Sequence, residues 1–265
     1  KGGFITMKQL EQFSMNFFSL EGKTAIVTGG NTGLGQAYVA ALAKAGADLF
    51  VVTYDRTWDE TRELVEKHGR KIYFFQADLT DRTQVTSCVE ECIKVYGKID
   101  ILVNNAGTIR RAPLLEYKDS DWDAVMAINI DSVYHLSQDT AKIMINQGSG
   151  KIINIASMLS FQGGKFVPPY TASKHAVAGI TKAFANELAN KNIQINAIAP
   201  GYIKTANTAP IRADEKRNAE ILGRIPAERW ADPSDLMGAV VFLASKASDY
   251  INGHILAVDG GWLVR

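Results

Sequence analysis

The run Thr28-Gly29-Gly30-Asn31-Thr32-Gly33-Leu34-Gly35 constrains the fold of this chain more than any other segment. It follows a short apolar stretch, Thr24 to Thr28, and opens an Ala/Leu-rich segment of helical character that ends near Gly46. That order reads as strand, turn, helix. Glycines in such a turn let the backbone approach a neighbouring group closely, and a helix beginning there directs its free N–H groups into the turn. A pyrophosphate is the kind of group that this junction suits. Glycine-rich turns also serve purely structural ends, so the weight of this one depends on what the chain builds around it.

The same alternation continues downstream. Leu49 to Thr53 is apolar, Thr57 to His68 is a charged amphipathic stretch, Lys71 to Gln76 is apolar again, and Gln84 to Tyr96 has helical spacing. Further strands are expected at Asp100 to Val103, Lys151 to Ile155, Ile193 to Ala199 and Ile255 to Val258, with helical patterns between most of them. Strands that do not alternate with polar residues, such as LFVVT and IINIA, belong in a parallel sheet covered on both faces. The expected fold is α/β: a single-domain, Rossmann-type, doubly wound parallel sheet of about seven strands with helices on both faces. Residues 1–19 precede the first strand as an N-terminal extension, and 20–265 form one domain with a substrate loop around 202–230. A ligand crevice is expected at the carboxyl ends of the strands.

With 29 basic and 28 acidic residues in 265, the chain has no strong field to recruit nucleic acid or an anionic membrane. No apolar run is long enough for a membrane span, and the expected location is the cytoplasm. Cys88 and Cys92 are four apart rather than in a redox CxxC spacing, and His68, His135, His175 and His254 are scattered. Reduced thiols and no catalytic metal follow.

Tyr170-Thr171-Ala172-Ser173-Lys174 opens another helical segment, so Tyr170 and Lys174 share a face. A cation beside a phenol favours the phenolate, which suits a group that exchanges a proton with an alcohol. Ser157, directly after an apolar strand, can hydrogen-bond an oxygen on which charge develops. No His stands beside it in a GxSxG-like elbow, so it is not read as a nucleophile. Asn129, inside a helical stretch, can position a water that relays protons to Lys174; a helix kink or packing is the alternative role for such an amide. At the other end of the crevice, Asn104-Asn105-Ala106-Gly107 offers a second close-approach loop. Asp78, after the third strand, can accept from an adenine amino group or simply cap a turn.

TGxxxGxG, NNAG, an internal Asn, a Ser after a strand and YxxxK, in this order and at these element ends, resemble the short-chain dehydrogenase/reductase family from Leu20 to Trp262. The resemblance implies a catalytic tetrad of Asn129, Ser157, Tyr170 and Lys174, with the lysine also holding the nicotinamide ribose. It implies dinucleotide contacts from Thr28, Gly29, Asn31, Thr32, Gly33, Leu34, Gly35, Asp55, Asp78, Leu79, Asn105, Ala106, Gly107, Tyr170 and Lys174. Pro200, Gly201, Ile203 and Thr205 match the segment that meets the nicotinamide, and a homotetramer is the family's expected assembly. The apolar Ile255 to Val264 stretch can serve such an interface or intramolecular packing.

NAD-using members often carry Asp at the end of the second strand. Here Thr53 stands there and Asp55 follows two residues later, while the glycine-rich loop lacks Arg or Lys. NAD is favoured, with Arg56 keeping NADP open. The segments IINIASMLSFQGG, NAIAPGYI, IRADEKRNAEIL and AVDGGWLVR resemble the family's dehydrogenases of keto-deoxy sugar acids in hexuronate catabolism. That implies a sugar-acid substrate, with Arg110, Met158, Gln162, Arg212 and Arg217 as substrate-facing candidates and Arg111 beside the first of them. A gluconate dehydrogenase or a 3-oxoacyl thioester reductase is the enzymatic alternative, and a noncatalytic dinucleotide sensor or scaffold the alternative of another class.

Overall fold

A computed structural model describes residues 13–265. Seven parallel strands form one sheet in the order β3-β2-β1-β4-β5-β6-β7. They are β1 (Thr24–Thr28), β2 (Asp48–Thr53), β3 (Ile72–Gln76), β4 (Ile101–Asn104), β5 (Gly150–Ile155), β6 (Ile193–Pro200) and β7 (Ile255–Val258). The strand order reverses at β1 and β4, where Ile26 pairs with Phe50 on one side and Leu102 on the other. A ligand crevice opens at such a reversal.

Side chains alternate across a strand, and here both sets are apolar. Val27, Val51, Val103 and Ile153 face one way, onto Tyr38 and Leu42 of α1 (Gly33–Lys44) and Val240 and Leu243 of α9 (Met237–Ala244). Ile26, Phe50, Leu102 and Ile152 face the other way. They meet Val85, Cys88 and Cys92 of α3 (Arg82–Tyr96) and Leu136 and Met144 of α5 (Ser132–Gln147). Both cysteines are buried free thiols in this second layer.

Local chemistry sets the element ends. Helix α2 (Asp59–Glu66) is shorter than the amphipathic pattern around it, because the Thr57 N–H and hydroxyl are bonded to the Asp55 carboxylate in the preceding turn. Helix α3 begins two residues earlier than its periodicity indicates, since Asp81 caps it through Thr83 N–H. It ends at Gly97, which is left-handed with φ +75°. Between α4 (Asp119–Met126) and α5 runs one turn of π-helix, Ala127–Asp131, carrying Asn129. Helix α6 (Pro168–Leu188) starts on two prolines, a placement that loses no helical hydrogen bond.

Beyond β6 the chain forms α7 (Ala209–Ala213) and α8 (Glu215–Leu222), separated by Asp214, whose carboxylate accepts from Arg217 N–H. Strand β7 is a partly exposed sheet edge. Trp262 near the C-terminus is buried instead, its ring 4.8 Å from that of Tyr202. Part of the apolar C-terminal stretch is thus spent on intramolecular packing. No helix among the described residues is long and apolar enough to cross a membrane. Residues 1–12 of the N-terminal extension lie outside the described residues, and Met15–Phe18 form a short 3-10 turn.

Candidate active site

A cleft of about 420 Å³ lies along the carboxyl ends of the strands. One end is lined by Gly29, Thr32, Gly33, Leu34 and Gly35 with Asn105, Ala106 and Gly107, and the other by Ser157, Tyr170, Lys174, Pro200, Gly201, Ile203 and Thr205.

The glycine end is held by side chains from both sides of the sheet reversal. The Thr28 hydroxyl accepts from Asn105 N–H at 3.0 Å and Ala106 N–H at 2.9 Å, and the Asn105 amide donates to the carbonyls of Thr28 and Gly29. This stitching leaves no room at Gly35: a Cβ there would lie 1.9 Å from the Gly29 carbonyl oxygen. Gly33, with φ +55°, lies at the N-terminus of α1, where a Cβ would meet only the Thr205 methyl at 3.9 Å. That terminus has no side-chain cap and no acidic residue in its first turn. Unpaired N–H groups and a helix dipole at the wall of the cleft fit a dinucleotide pyrophosphate.

At the reacting end, Tyr170 sits in the first turn of α6 and Lys174 one turn on. The Lys174 ammonium lies 5.5 Å from the Tyr170 ring centroid and donates to the Ile155 carbonyl at 2.6 Å. Lys174 is only 6% exposed, and burial pushes its amine down to about 8. Burial raises the Tyr170 phenol above its ordinary value, opposed by the Ser157 hydroxyl and by the charge of Arg111. Arg111 thus joins Lys174, the cation that the spacing pointed to, beside the phenol. Ser157 caps a 3-10 turn, Met158–Ser160, by accepting from Leu159 N–H at 3.2 Å.

Asn129 is buried below the cleft. Its amide clamps Thr108 by accepting from the Thr108 N–H at 2.8 Å and donating to the Thr108 carbonyl at 3.0 Å, and it donates to the Ser173 hydroxyl at 3.0 Å. Both polar atoms of the amide thus engage the loop after β4 and the helix that carries Tyr170 and Lys174.

Several expected residues do not line the cleft. Asp78 Oδ1 accepts from the N–H and hydroxyl of Thr80, closing a turn, and Leu79 is buried in the core. Arg110 turns outward to Asp121 at 3.6 Å, and it is Arg111 that enters the cleft. Met158 packs with Ile221, Ile225, Trp230 and Trp262, while Gln162 accepts from Arg224 at 3.1 Å. Arg212 donates to the Thr205 carbonyl at 3.2 Å, and Arg217 lines a neighbouring cavity. Asn31 reaches back to Asp55, donating to its carboxylate at 2.7 Å. Hydrogen bonds from the Thr57 hydroxyl and N–H, and from Asn31, hold the Asp55 carboxyl below its usual range. Thr108, Ile109 and Thr208 line the cleft without having been expected there, since none carries a motif.

A pyrophosphate cradle at one end of a cleft and a phenol, an amine and a hydroxyl at the other define a dinucleotide-dependent oxidoreductase. Residues 29–263 match the family model described as Enoyl-(Acyl carrier protein) reductase. The chain is 56% identical over 252 residues to a 2-dehydro-3-deoxy-D-gluconate 5-dehydrogenase of Escherichia coli, covering 95% of this chain and 99% of that one. It is 55% identical over 248 residues to the enzyme of the same name from Bacillus subtilis, covering 94% and 97%. A crystal structure of a gluconate 5-dehydrogenase from Burkholderia cenocepacia, in complex with NADP and tartrate, superposes with a TM-score of 0.89 at 37% identity. That match covers 94% of this chain and 98% of the other. The chain belongs to the short-chain dehydrogenase/reductase family.

Proposed function

We propose that this protein is an NAD-dependent dehydrogenase that interconverts a ketone and a secondary alcohol on a keto-deoxy sugar acid, acting as a 2-dehydro-3-deoxy-D-gluconate 5-dehydrogenase in hexuronate catabolism. One observation carries the reading: the cleft that holds Ser157, Tyr170 and Lys174 also holds Arg111, and no Asp or Glu lines it. A site so built accepts an anionic substrate beside a proton-exchanging phenol. The names of the relatives, matched over nearly their whole length, support the same substrate class.

In this reading the α1 N-terminus with Gly33 and Gly35 holds the pyrophosphate, and Pro200, Gly201, Ile203 and Thr205 flank the nicotinamide. The bound nicotinamide supplies or accepts a hydride. Tyr170 takes the hydroxyl proton during oxidation and returns it during reduction, and Ser157 hydrogen-bonds the reacting oxygen. Burial opposes the phenolate, so cations must lower its cost; Arg111 and the Lys174 ammonium supply that field. Asn129 is a positioning residue that fixes the Thr108 loop against α6.

Asp55 is assigned to the adenosine ribose. Its bond to Asn31 of the glycine-rich loop brings a carboxylate beside that loop although β2 ends at Thr53. A carboxylate there accepts from ribose hydroxyls and repels a 2′-phosphate, hence NAD. The segment 202–230 is assigned as the substrate loop on domain 20–265. A cytoplasmic homotetramer completes the proposal, supported by the partly exposed edge strand β7 and by exposed Trp122, Tyr134 and Ile145 on the α4–α5 rod.

Parallel assays with NAD+ and NADP+ over keto-deoxy sugar acids, and with NADH and NADPH over the corresponding diketo acids, test this. The expected result is turnover of 2-dehydro-3-deoxy-D-gluconate with NAD preferred. Rapid reduction of an acetoacetyl thioester, with every sugar acid ignored in both directions, contradicts it.

A further inference from the structure

Next to the catalytic cleft lies a second cavity, of about 390 Å³, lined by Arg111, Ala112, Pro113, Lys165, Phe166, Ile211 and Arg217. Three of its walls are cationic and none is acidic. Arg111 lines both cavities and so stands at the passage between them. The three cations come from separate elements: the loop after β4, the loop between β5 and α6, and helix α8. None of them forms an ion pair with a described residue. The Lys165 ammonium rests 5.0 Å above the Phe166 ring, and the charged end of Arg217 has no hydrogen-bond partner among the described residues.

Like charges gathered around one concavity repel each other, so they raise the energy of the folded chain unless an anion joins them. The backbone adds an independent sign. Phe166 has φ +66°, a left-handed conformation that a bulky side chain adopts only under constraint. In that conformation its carbonyl accepts from Ala112 N–H at 3.2 Å, tying the Lys165 wall to the Arg111 wall. Strain held at this point gives the cavity its shape.

We propose that this outer cavity is the carboxylate site of the substrate. Arg111 holds the acid at the passage, Lys165 and Arg217 complete its coordination from the far side, and Arg217 makes the α8 segment read substrate charge. This rests on the sugar-acid reading above. Because Arg217 is carried by the proposed substrate loop 202–230 and Lys165 by the loop between β5 and α6, an anion between them draws the two together over the cleft.

The test uses Arg217→Gln and Lys165→Gln in the full chain, with two readouts. In steady-state kinetics with 2-dehydro-3-deoxy-D-gluconate, each variant is expected to raise KM about tenfold or more while kcat changes less than about threefold, since the groups bind charge away from the reacting carbon. In titrations of the NADH-loaded protein, malonate is expected to bind the parent chain and to bind each variant at least about tenfold more weakly. Unchanged KM and unchanged malonate affinity in both variants overturn the proposal. If no sugar acid is turned over, the sugar-acid reading fails by that result alone. The malonate titration still decides the cavity: affinity lost in the variants supports an anion site there, and affinity retained overturns it.

Discussion

Replacing Lys174 by Met should make the cofactor-free protein more stable at neutral pH, although the lysine is central to the proposed chemistry. The ordinary value of a lysine amine is 10.5, and burial pushes Lys174 down to about 8. That difference corresponds to about 3 kcal/mol of preference for the neutral amine. The sign follows from proton linkage. Below pH 8 the amine is charged in both folded and unfolded chains, and the folded chain bears the full cost of burying it. Between 8 and 10.5 the unfolded chain holds the proton that the folded chain has lost, so stability rises with pH until the cost is gone. Methionine has similar length and no charge, but it loses the bond to the Ile155 carbonyl, which costs about 1 kcal/mol. The expected net gain is about 2 kcal/mol at pH 7. Urea unfolding of both proteins at intervals from pH 6 to pH 10 measures it. The advantage of Lys174→Met should shrink by about 2–3 kcal/mol between pH 7 and pH 10. A difference that stays flat with pH, or a variant less stable at pH 7, refutes the reasoning.

Gly35→Ala should reduce dinucleotide affinity at least about tenfold by fluorescence titration, because the new Cβ meets the Gly29 carbonyl at 1.9 Å and backbone must move to relieve it. Asn129→Ala removes three hydrogen bonds from a residue 1% exposed; it should cost about 2–4 kcal/mol in denaturant unfolding and loosen the Thr108 loop. Asp55→Asn should raise the NADP-to-NAD ratio of kcat/KM about tenfold, through loss of charge at the proposed ribose site beside Asn31.

The sheet was legible because its signal is redundant. Each strand is apolar on both faces, so Ile26 and Val27 each find a packed layer, and the order of strands and helices alone leaves few topologies. The glycine-rich turn and the Tyr170–Lys174 spacing were legible for a related reason: each is fixed by backbone geometry within one element. Side chains on loops carry no such rule. Arg110 and Arg111 are adjacent in sequence, yet one pairs with Asp121 and the other enters the cleft, according to how the loop after β4 is tied at Thr108 and Ala112. Met158 follows Ser157 but is drawn into an aromatic cluster built by the C-terminal segment. The π-helical turn at Asn129 was legible only as one role open to a mid-helix amide, a kink, because the helical periodicity continues on both sides of it. Asp78 was open to two readings, and one carboxylate serves both: Oδ1 closes the turn with Thr80, and Oδ2 has no hydrogen bond among the described residues.

The central claim is that Tyr170 exchanges the proton of the reacting alcohol. Tyr170→Phe removes one oxygen from a side chain that shares the cleft wall with Ser157 and leaves the pyrophosphate cradle untouched. Single-turnover oxidation of 2-dehydro-3-deoxy-D-gluconate, measured beside NADH affinity in the same preparation, separates the two functions. The account predicts a loss of at least about a thousandfold in the rate of the chemical step, within the range for general acid–base groups, with NADH affinity changed less than about threefold. A variant that turns over at close to the parent rate contradicts it.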